Sequence, residues 1–375
     1  MSEKRPLQQL AELGQSVWID FLSRELLASG ELARLVREDA VVGVTSNPAI
    51  FEKAITHSGA YDRQLRDLLP RELSAKEIFG ELARADVTAA CDLLRPVWEQ
   101  TGGRDGYVSI EVDPNLAHDT NAQYYEARQL HESIARPNVL VKIPATKAGV
   151  TAIEDSIAAG RSINVTLIFS VERYAAVARA YRDGLRRFRA GGGDVAAIRS
   201  FASFFVSRLD SETDRRLDEL GAPQKLKGKL GIANARLAYE SYRQLFSSAD
   251  ELWAELAAAG AHPQRCLWAS TSTKNPSYRD VLYVEELIGP NTVNTMPEET
   301  LLAFQDHGHV APTLERGIEE AHQLLARLAA AGVDYDDVVE TLEADAIEKF
   351  SDSLSRVVAG LEARRKELAP SSGRR

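Results

Sequence analysis

The chain has 375 residues, 44% of them hydrophobic and 27% charged, a balance that excludes a disordered protein and leaves ample material for a core. Its formal charge of −10 excludes recruitment of nucleic acid or anionic membrane by the global field, so an anionic substrate has to be met by a local basic pocket. The two cysteines, Cys91 and Cys266, form no CxxC pair and fit a reduced, cytoplasmic protein better than a disulfide framework.

The first residues, "MSEKRPLQQLAELGQ", lack an apolar signal core, and no segment approaches a membrane span. Eight β-rich runs then follow: "VWID" (17–20), "VVGVTSN" (41–47), "YVSIEVD" (107–113), "VLVKIP" (139–144), "INVTLIF" (163–169), "FASFFVS" (201–207), "CLWAS" (266–270) and "NTVNTM" (291–296). Between them lie stretches with helical spacing, such as "VERYAAVARAYRDGLRRF" (171–188). Strands alternating with helices imply βαβ units and a parallel sheet. Eight in series is the count for a (β/α)8 TIM barrel; a doubly wound sheet is the rival, but no GxGxxG follows the first strand.

Such a barrel needs about 250 residues, so the chain is read as a single domain, 1–375, with additional helices. Residues 47–106 and 212–264 are long enough for several helices each. C-terminal helices are expected over about 298–366. There Val338, Val339, Leu342, Ile347, Phe350, Leu354, Val357 and Leu361 mark one face of a long amphipathic helix. "APSSGRR" reads as a solvated tail.

Side chains on a strand alternate with period two. Val108, Ile110 and Val112 alternate with Ser109 and Glu111; Ile163, Val165 and Leu167 alternate with Asn164 and Thr166. Lys142 is opposite in parity to Val139, Val141 and Ile143, and Asp20 to Val17 and Ile19. With the apolar set turned to the outer helices, the polar set points into the barrel, with Asn47, Ser203 and Ser270 at or near other strand ends. Trp18 and Trp268 share the inward parity. The polar groups converge on the C-terminal mouth, where barrels of this kind hold their active sites.

An amine among apolar groups and carboxylates has two readings. Lys142 can be a structural partner of Glu111 or Asp20. Alternatively it is a Schiff-base nucleophile: burial disfavours the ammonium, and nearby carboxylates carry protons for imine formation and carbon–carbon cleavage. Other signals are weaker. "HGH" (307–309), beside Asp306, reads as a loop or helix cap sooner than a metal site. "AGGGD" (190–194) reads as a helix-to-strand turn, and "QKLKGKL" (224–230) as a solvated helix end.

"GVTSNPAIFEKAI" (43–55) and "VLVKIPATKAGVTAIE" (139–154) resemble the two signature motifs of the transaldolase family. The resemblance continues through "SIEVDPNLAHDT", "INVTLIFS", "SFFVSRLD" and "EKFSDSLSRV", and "WASTSTKNPSY" is similar to the longer bacterial branch. It implies a cofactor-free and metal-free transferase that moves a dihydroxyacetone unit between sugar phosphates. By that resemblance Lys142 forms the imine and Asp20 is the acid/base of carbon–carbon cleavage. Glu111 and Thr166 hold a water for proton transfer, Asn47, Asn164 and Ser203 bind the three-carbon fragment, and Arg208 binds phosphate. A second phosphate-binding arginine of the family is replaced here by Ser272; Lys274, two residues on, is either its substitute or a surface-loop residue, and Ser270 is a hydroxyl contact. Aldolases of the family that release free dihydroxyacetone carry tyrosine at the position of Phe205 and lack the counterpart of Glu111, so this pair favours transfer over release. A catalytically silent barrel acting as an interaction scaffold is the other alternative. Monomer and homodimer both remain open.

Overall fold

A computed structural model describes residues 5–56 and 58–368; the tail at 369–375 lies outside them. Eight strands form the closed barrel: β1 (Gln15–Ile19), β2 (Val41–Val44), β3 (Tyr107–Glu111), β4 (Val139–Pro144), β5 (Ile163–Ile168), β6 (Ser200–Phe205), β7 (Arg265–Ala269) and β8 (Thr292–Met296). Each pairs in parallel with its neighbours in sequence, and β8 returns to β1. Register between β3, β4 and β5 sets Glu111 beside Lys142 and Lys142 beside Asn164. The C-terminal strand ends therefore carry the polar residues at one level.

Helices follow the strands where short polar residues cap their first turns. Thr146 accepts from Gly149 N at the start of Lys147–Ala158, and Ser170 from Arg173 N at the start of Val171–Ala190. Ser74 and Glu77 form a capping box on Ala75–Gln100. The long segments carry the extra helices expected of them: Pro48–Thr56, Asp62–Leu68 and Ala75–Gln100 in the first, Leu230–Leu245 and Glu251–Ala258 in the second. Gly191–Gly193 make the turn between helix Val171–Ala190 and β6. Lys225 belongs to a single 3-10 turn, Gln224–Leu226, and Lys227 pairs with Asp218.

Two hydrophobic clusters result. Outside the strands, Val17, Ile19, Val108, Ile110, Val141, Ile143 and Val165 pack under the helices. Inside, Trp18, Tyr107, Leu140, Phe201, Leu267 and Val293 fill the lower barrel, with Trp18 and Phe201 ring centres 4.8 Å apart. Gly43 makes room for that stack: a Cβ there would lie 2.4 Å from the Trp18 indole.

Two parity expectations are corrected. Trp268 faces outward, 5.4 Å from the Phe204 ring, because the inward positions of β7 are Arg265, Leu267 and Ala269. Leu167 turns inward: its φ of +58° and the break in β5–β6 register between Val165 and Ile168 mark a local irregularity that moves it off the outer face. A left-handed leucine costs about 1–2 kcal/mol, a cost borne one residue past Thr166.

The C-terminal helix Tyr335–Leu368 packs on helices Pro48–Thr56, Ala75–Gln100 and Val206–Glu219, so it runs across the mouth. Val338, Leu342, Phe350, Leu354, Val357 and Leu361 are buried; Val339 and Ile347 are half-buried beside them. Both cysteines are buried free thiols, each pushed by burial up to about 12. Among the described residues no helix is long and apolar enough to cross a membrane.

Candidate active site

Lys142 occupies the fourth position of β4 with 4% of its side chain exposed. Its Nζ lies 3.2 Å from Glu111 Oε2 and donates to the Ser46 carbonyl at 3.1 Å. Burial drives the Glu111 carboxyl upward against the pull of Lys142, and nearby Asp20 adds to the rise.

Asp20 follows β1 directly, its N–H donating to Met296 O at 2.8 Å. Thr45 Oγ1 donates to Asp20 Oδ1 at 2.6 Å and lies 2.8 Å from Thr295 Oγ1. Burial also raises the Asp20 carboxyl, opposed by Lys142, Thr45 and Arg208. Two carboxyls of raised proton affinity therefore flank one amine. Each holds a proton more readily than an exposed acid.

A cavity of about 210 Å³ opens above Lys142. Asp20, Asn47, Thr166, Ser203, Phe205, Arg208, Ser270 and Lys274 all line it. Across Asp20, Asn47, Ser272 and Lys274 it adjoins a wider cleft of about 810 Å³, which leaves room for the remainder of a longer ligand. Thr166 Oγ1 and Arg208 Nη1 are buried without hydrogen-bond partners, so a donor-bearing or anionic ligand has unsatisfied groups to meet.

Two expected residues stand behind this wall. Asn164 is fully buried, accepting from Ser203 Oγ at 2.7 Å and donating to Ser109 Oγ at 3.0 Å; it sets the Ser203 hydroxyl. Glu111 borders a separate cavity of about 570 Å³ beside helix Ala75–Gln100, and reaches the reacting region through Lys142. Ser270 has a φ of +54°, and its Oγ lies 3.0 Å from Ser207 Oγ. Lys274 is exposed at the rim, where its Nζ donates to Ser272 Oγ at 2.6 Å. The loop thus brings a cation to the cavity at the place of Ser272.

Sequence reasoning missed three contributors. Thr45 lies inside "TSN" and shares the inward face with Gly43, while Thr295 shares that of Val293. Phe350 comes from the C-terminal helix and lines the cavity. The Arg208 guanidinium lies 5.0 Å from the Phe205 ring centre and 5.8 Å from that of Phe350. Those aromatic faces hold a desolvated cation at the cavity edge. Burial pulls the Arg208 pKa down from its ordinary value, opposed by Asp20, Asp345 and Glu111.

Among the described residues no histidine lines this cavity. His307 ends helix Glu298–His307, with its ring nitrogens 2.9 Å from Asp280 and 3.1 Å from Asp306. Among the described residues no group of three or more His, Cys, Asp or Glu side chains is placed to hold a metal ion.

Known proteins are similar to this chain over most of its length. The sequence profile of the Transaldolase/Fructose-6-phosphate aldolase family matches residues 17–361. Transaldolase 1 of Streptomyces avermitilis is 54% identical over 347 residues, covering 92% of this chain and 91% of its own. The transaldolase of Frankia alni is 52% identical over 356 residues, covering 94% and 95%. That of Acidothermus cellulolyticus is 51% identical over 358 residues, covering 95% and 96%.

Proposed function

Since the chain belongs to the transaldolase/fructose-6-phosphate aldolase family, we infer that it is a transaldolase. It moves a dihydroxyacetone unit from sedoheptulose 7-phosphate to glyceraldehyde 3-phosphate, giving erythrose 4-phosphate and fructose 6-phosphate, in the non-oxidative pentose phosphate pathway. The observation that carries the reading is the Lys142 amine, 3.2 Å from a carboxyl that burial makes a proton acceptor, at the floor of a polar cavity.

Lys142 passes its proton toward Glu111 and adds as free amine to the ketose C2 carbonyl. The carbinolamine hydroxyl is protonated and leaves as water, giving the iminium. Glu111, 3.2 Å from the amine, and Thr166, whose unpartnered hydroxyl lines the cavity, are the groups assigned to hold the water that relays that proton. Asp20 then takes the proton of the C4 hydroxyl. The C3–C4 bond breaks, its electron pair flows into the iminium as an enamine, and the first aldehyde departs. A second aldehyde enters, the enamine carbon attacks it, and Asp20 returns the proton to the new hydroxyl. Hydrolysis of the iminium frees the product and Lys142. Asn47 and Ser203, set by Asn164, hold the three-carbon fragment; Ser270 contributes a hydroxyl. Arg208 and Lys274 hold phosphate, Arg208 as a planar fork and Lys274 as a point charge.

The enamine has to outlive the exchange of aldehydes, so stray proton delivery at its carbon must be avoided. Phe205 supports transfer, because it presents an aromatic ring with no hydroxyl, packed 5.7 Å from Phe169 and 6.4 Å from Phe350. The whole chain serves this reaction as one domain, since the C-terminal helix supplies Phe350 to the cavity. Free buried thiols suit a reducing cytoplasm. The test is to supply fructose 6-phosphate and erythrose 4-phosphate and follow glyceraldehyde 3-phosphate, sedoheptulose 7-phosphate and free dihydroxyacetone. Stoichiometric heptulose supports transfer; free dihydroxyacetone in its place identifies the releasing aldolase, and no product from folded protein supports a scaffold.

A further inference from the structure

The helix that carries Arg208 also carries two buried carboxylates one turn apart, and neither touches the cavity. Asp210 Oδ1 accepts from Gly231 N at 2.8 Å, and its Oδ2 from the Tyr283 hydroxyl at 2.8 Å. Asp214 Oδ1 accepts from Gly228 N at 2.9 Å, and its Oδ2 from the Tyr278 hydroxyl at 2.5 Å. Burying a carboxylate is costly, and two of them satisfied by the same pair of segments form a joint between those segments.

One segment is the loop from β7 that carries Ser272 and Lys274 to the cavity rim. Lys274 lies four residues before Tyr278. Its own hydrogen bond goes to Ser272, within the loop, so its position relative to Arg208 depends on how the loop docks. The other segment, 227–231, closes against the first: a Cβ on Gly228 would lie 2.6 Å from the Tyr278 ring. Between Lys274 and the helix of Arg208, Tyr278–Asp214 is the nearer link and Tyr283–Asp210 the deeper one.

We propose that Asp214 and Tyr278, backed by Asp210 and Tyr283, are positioning residues for phosphate recognition: they fix the spacing between Lys274 and Arg208, and so determine affinity for the substrate's phosphate without touching it. The proposal rests on the reading of Lys274 and Arg208 as phosphate ligands. The link acts on binding, because the amine and the carboxyls that perform the chemistry lie on β4, on β3 and just past β1.

The test is a double-mutant cycle on the full chain. It uses Tyr278→Phe and Lys274→Ala, reading KM for fructose 6-phosphate, kcat, and the inhibition constant of inorganic phosphate. Loss of the tyrosine hydroxyl is expected to raise KM and the phosphate constant about three- to tenfold, the scale of one hydrogen bond, with kcat nearly unchanged. In the Lys274→Ala background the same substitution is expected to do nothing further, since the cation it positions is gone. Asp214→Asn, which retains an acceptor for Gly228 N, is expected to weaken phosphate binding less than Asp214→Ala. An equal effect of Tyr278→Phe in both backgrounds, or none in either while Lys274→Ala weakens binding, overturns the positioning role. Unchanged phosphate affinity in Lys274→Ala itself overturns the ligand reading on which it rests.

Discussion

Two buried ion pairs lie inside one barrel, one at each end, and they differ in how fully their surroundings satisfy them. At the N-terminal end Arg265 reaches Asp105 at 3.0 Å. Its guanidinium also donates to Ser16 Oγ at 2.6 Å, Thr292 O at 2.8 Å and Arg104 O at 3.1 Å, while Ser16 Oγ donates to Asp105 Oδ2 at 2.9 Å. Only the Arg265 Nε is left over. At the mouth Lys142 and Glu111 are 3.2 Å apart beside a cavity, with the unpartnered Thr166 hydroxyl and an Arg208 nitrogen bordering it. Arginine cannot give up its proton in a protein, whereas a lysine in such a place can. Burial and pairing alone therefore do not distinguish a reactive amine from a structural one; unspent hydrogen-bonding capacity and an adjoining cavity set the mouth pair apart.

Removing each cation sharpens the contrast. Lys142→Met is expected to abolish transfer, by on the order of 10⁵-fold or more, as loss of a covalent nucleophile does elsewhere. The fold should persist, because Glu111, already raised by burial, can take a proton when its partner is gone; circular dichroism alongside the transfer assay checks both. Arg265→Met should behave in the reverse way. It should cost about 3–5 kcal/mol of stability by stranding Asp105, read from a denaturant midpoint, while the folded fraction keeps its turnover. Equal loss of activity in the two variants would erase the distinction between the pairs.

Glu111→Gln tests the proton acceptor more finely. It should lower kcat about 10²- to 10⁴-fold and slow adduct formation in single-turnover quench experiments, with Lys142 still in place.

A buried carboxyl away from both pairs gives a pH signature. Burial raises Asp210 to about 7, against the hydrogen bonds from Gly231 and Tyr283, and neighbouring Asp214 adds to the rise. A folded pKa above the unfolded value means that the stability tied to the protonated acid is present below about 4 and lost as pH climbs through about 7. Asp210→Asn should therefore flatten the fall in melting temperature between pH 5 and pH 8, as followed by calorimetry. The smallest effect is expected of Phe350→Ala. Loss of one aromatic face beside Arg208 should raise KM for phosphorylated substrates severalfold, in keeping with about 0.5–1 kcal/mol for such a contact.

Much of the site was legible because period two survives in strands packed under helices. Glu111, Lys142, Asn164 and Thr166 all point inward as their parity requires. Parity failed where the backbone changed it. The left-handed turn at Leu167 moved a leucine off the outer face, and no residue type in "INVTLIF" announces that turn. In β7 both faces carry large groups, so Trp268 and Leu267 exchange easily in a sequence reading; Arg265 at the closed end was the signal that its own parity is the interior one. Phe350 lies well past the end of β8 at Met296, and only tertiary packing reveals that its helix crosses the mouth. The helix itself was readable from its apolar stripe.

The most direct measurement is to incubate the protein with fructose 6-phosphate, reduce with borohydride, and map any new mass to a peptide. A three-carbon adduct on Lys142, discharged when erythrose 4-phosphate is added before reduction, is the expected result. Folded, phosphate-binding protein that yields no adduct, or one carrying it on another lysine, would contradict the reactive role of the mouth pair and make Lys142 a structural partner like Arg265.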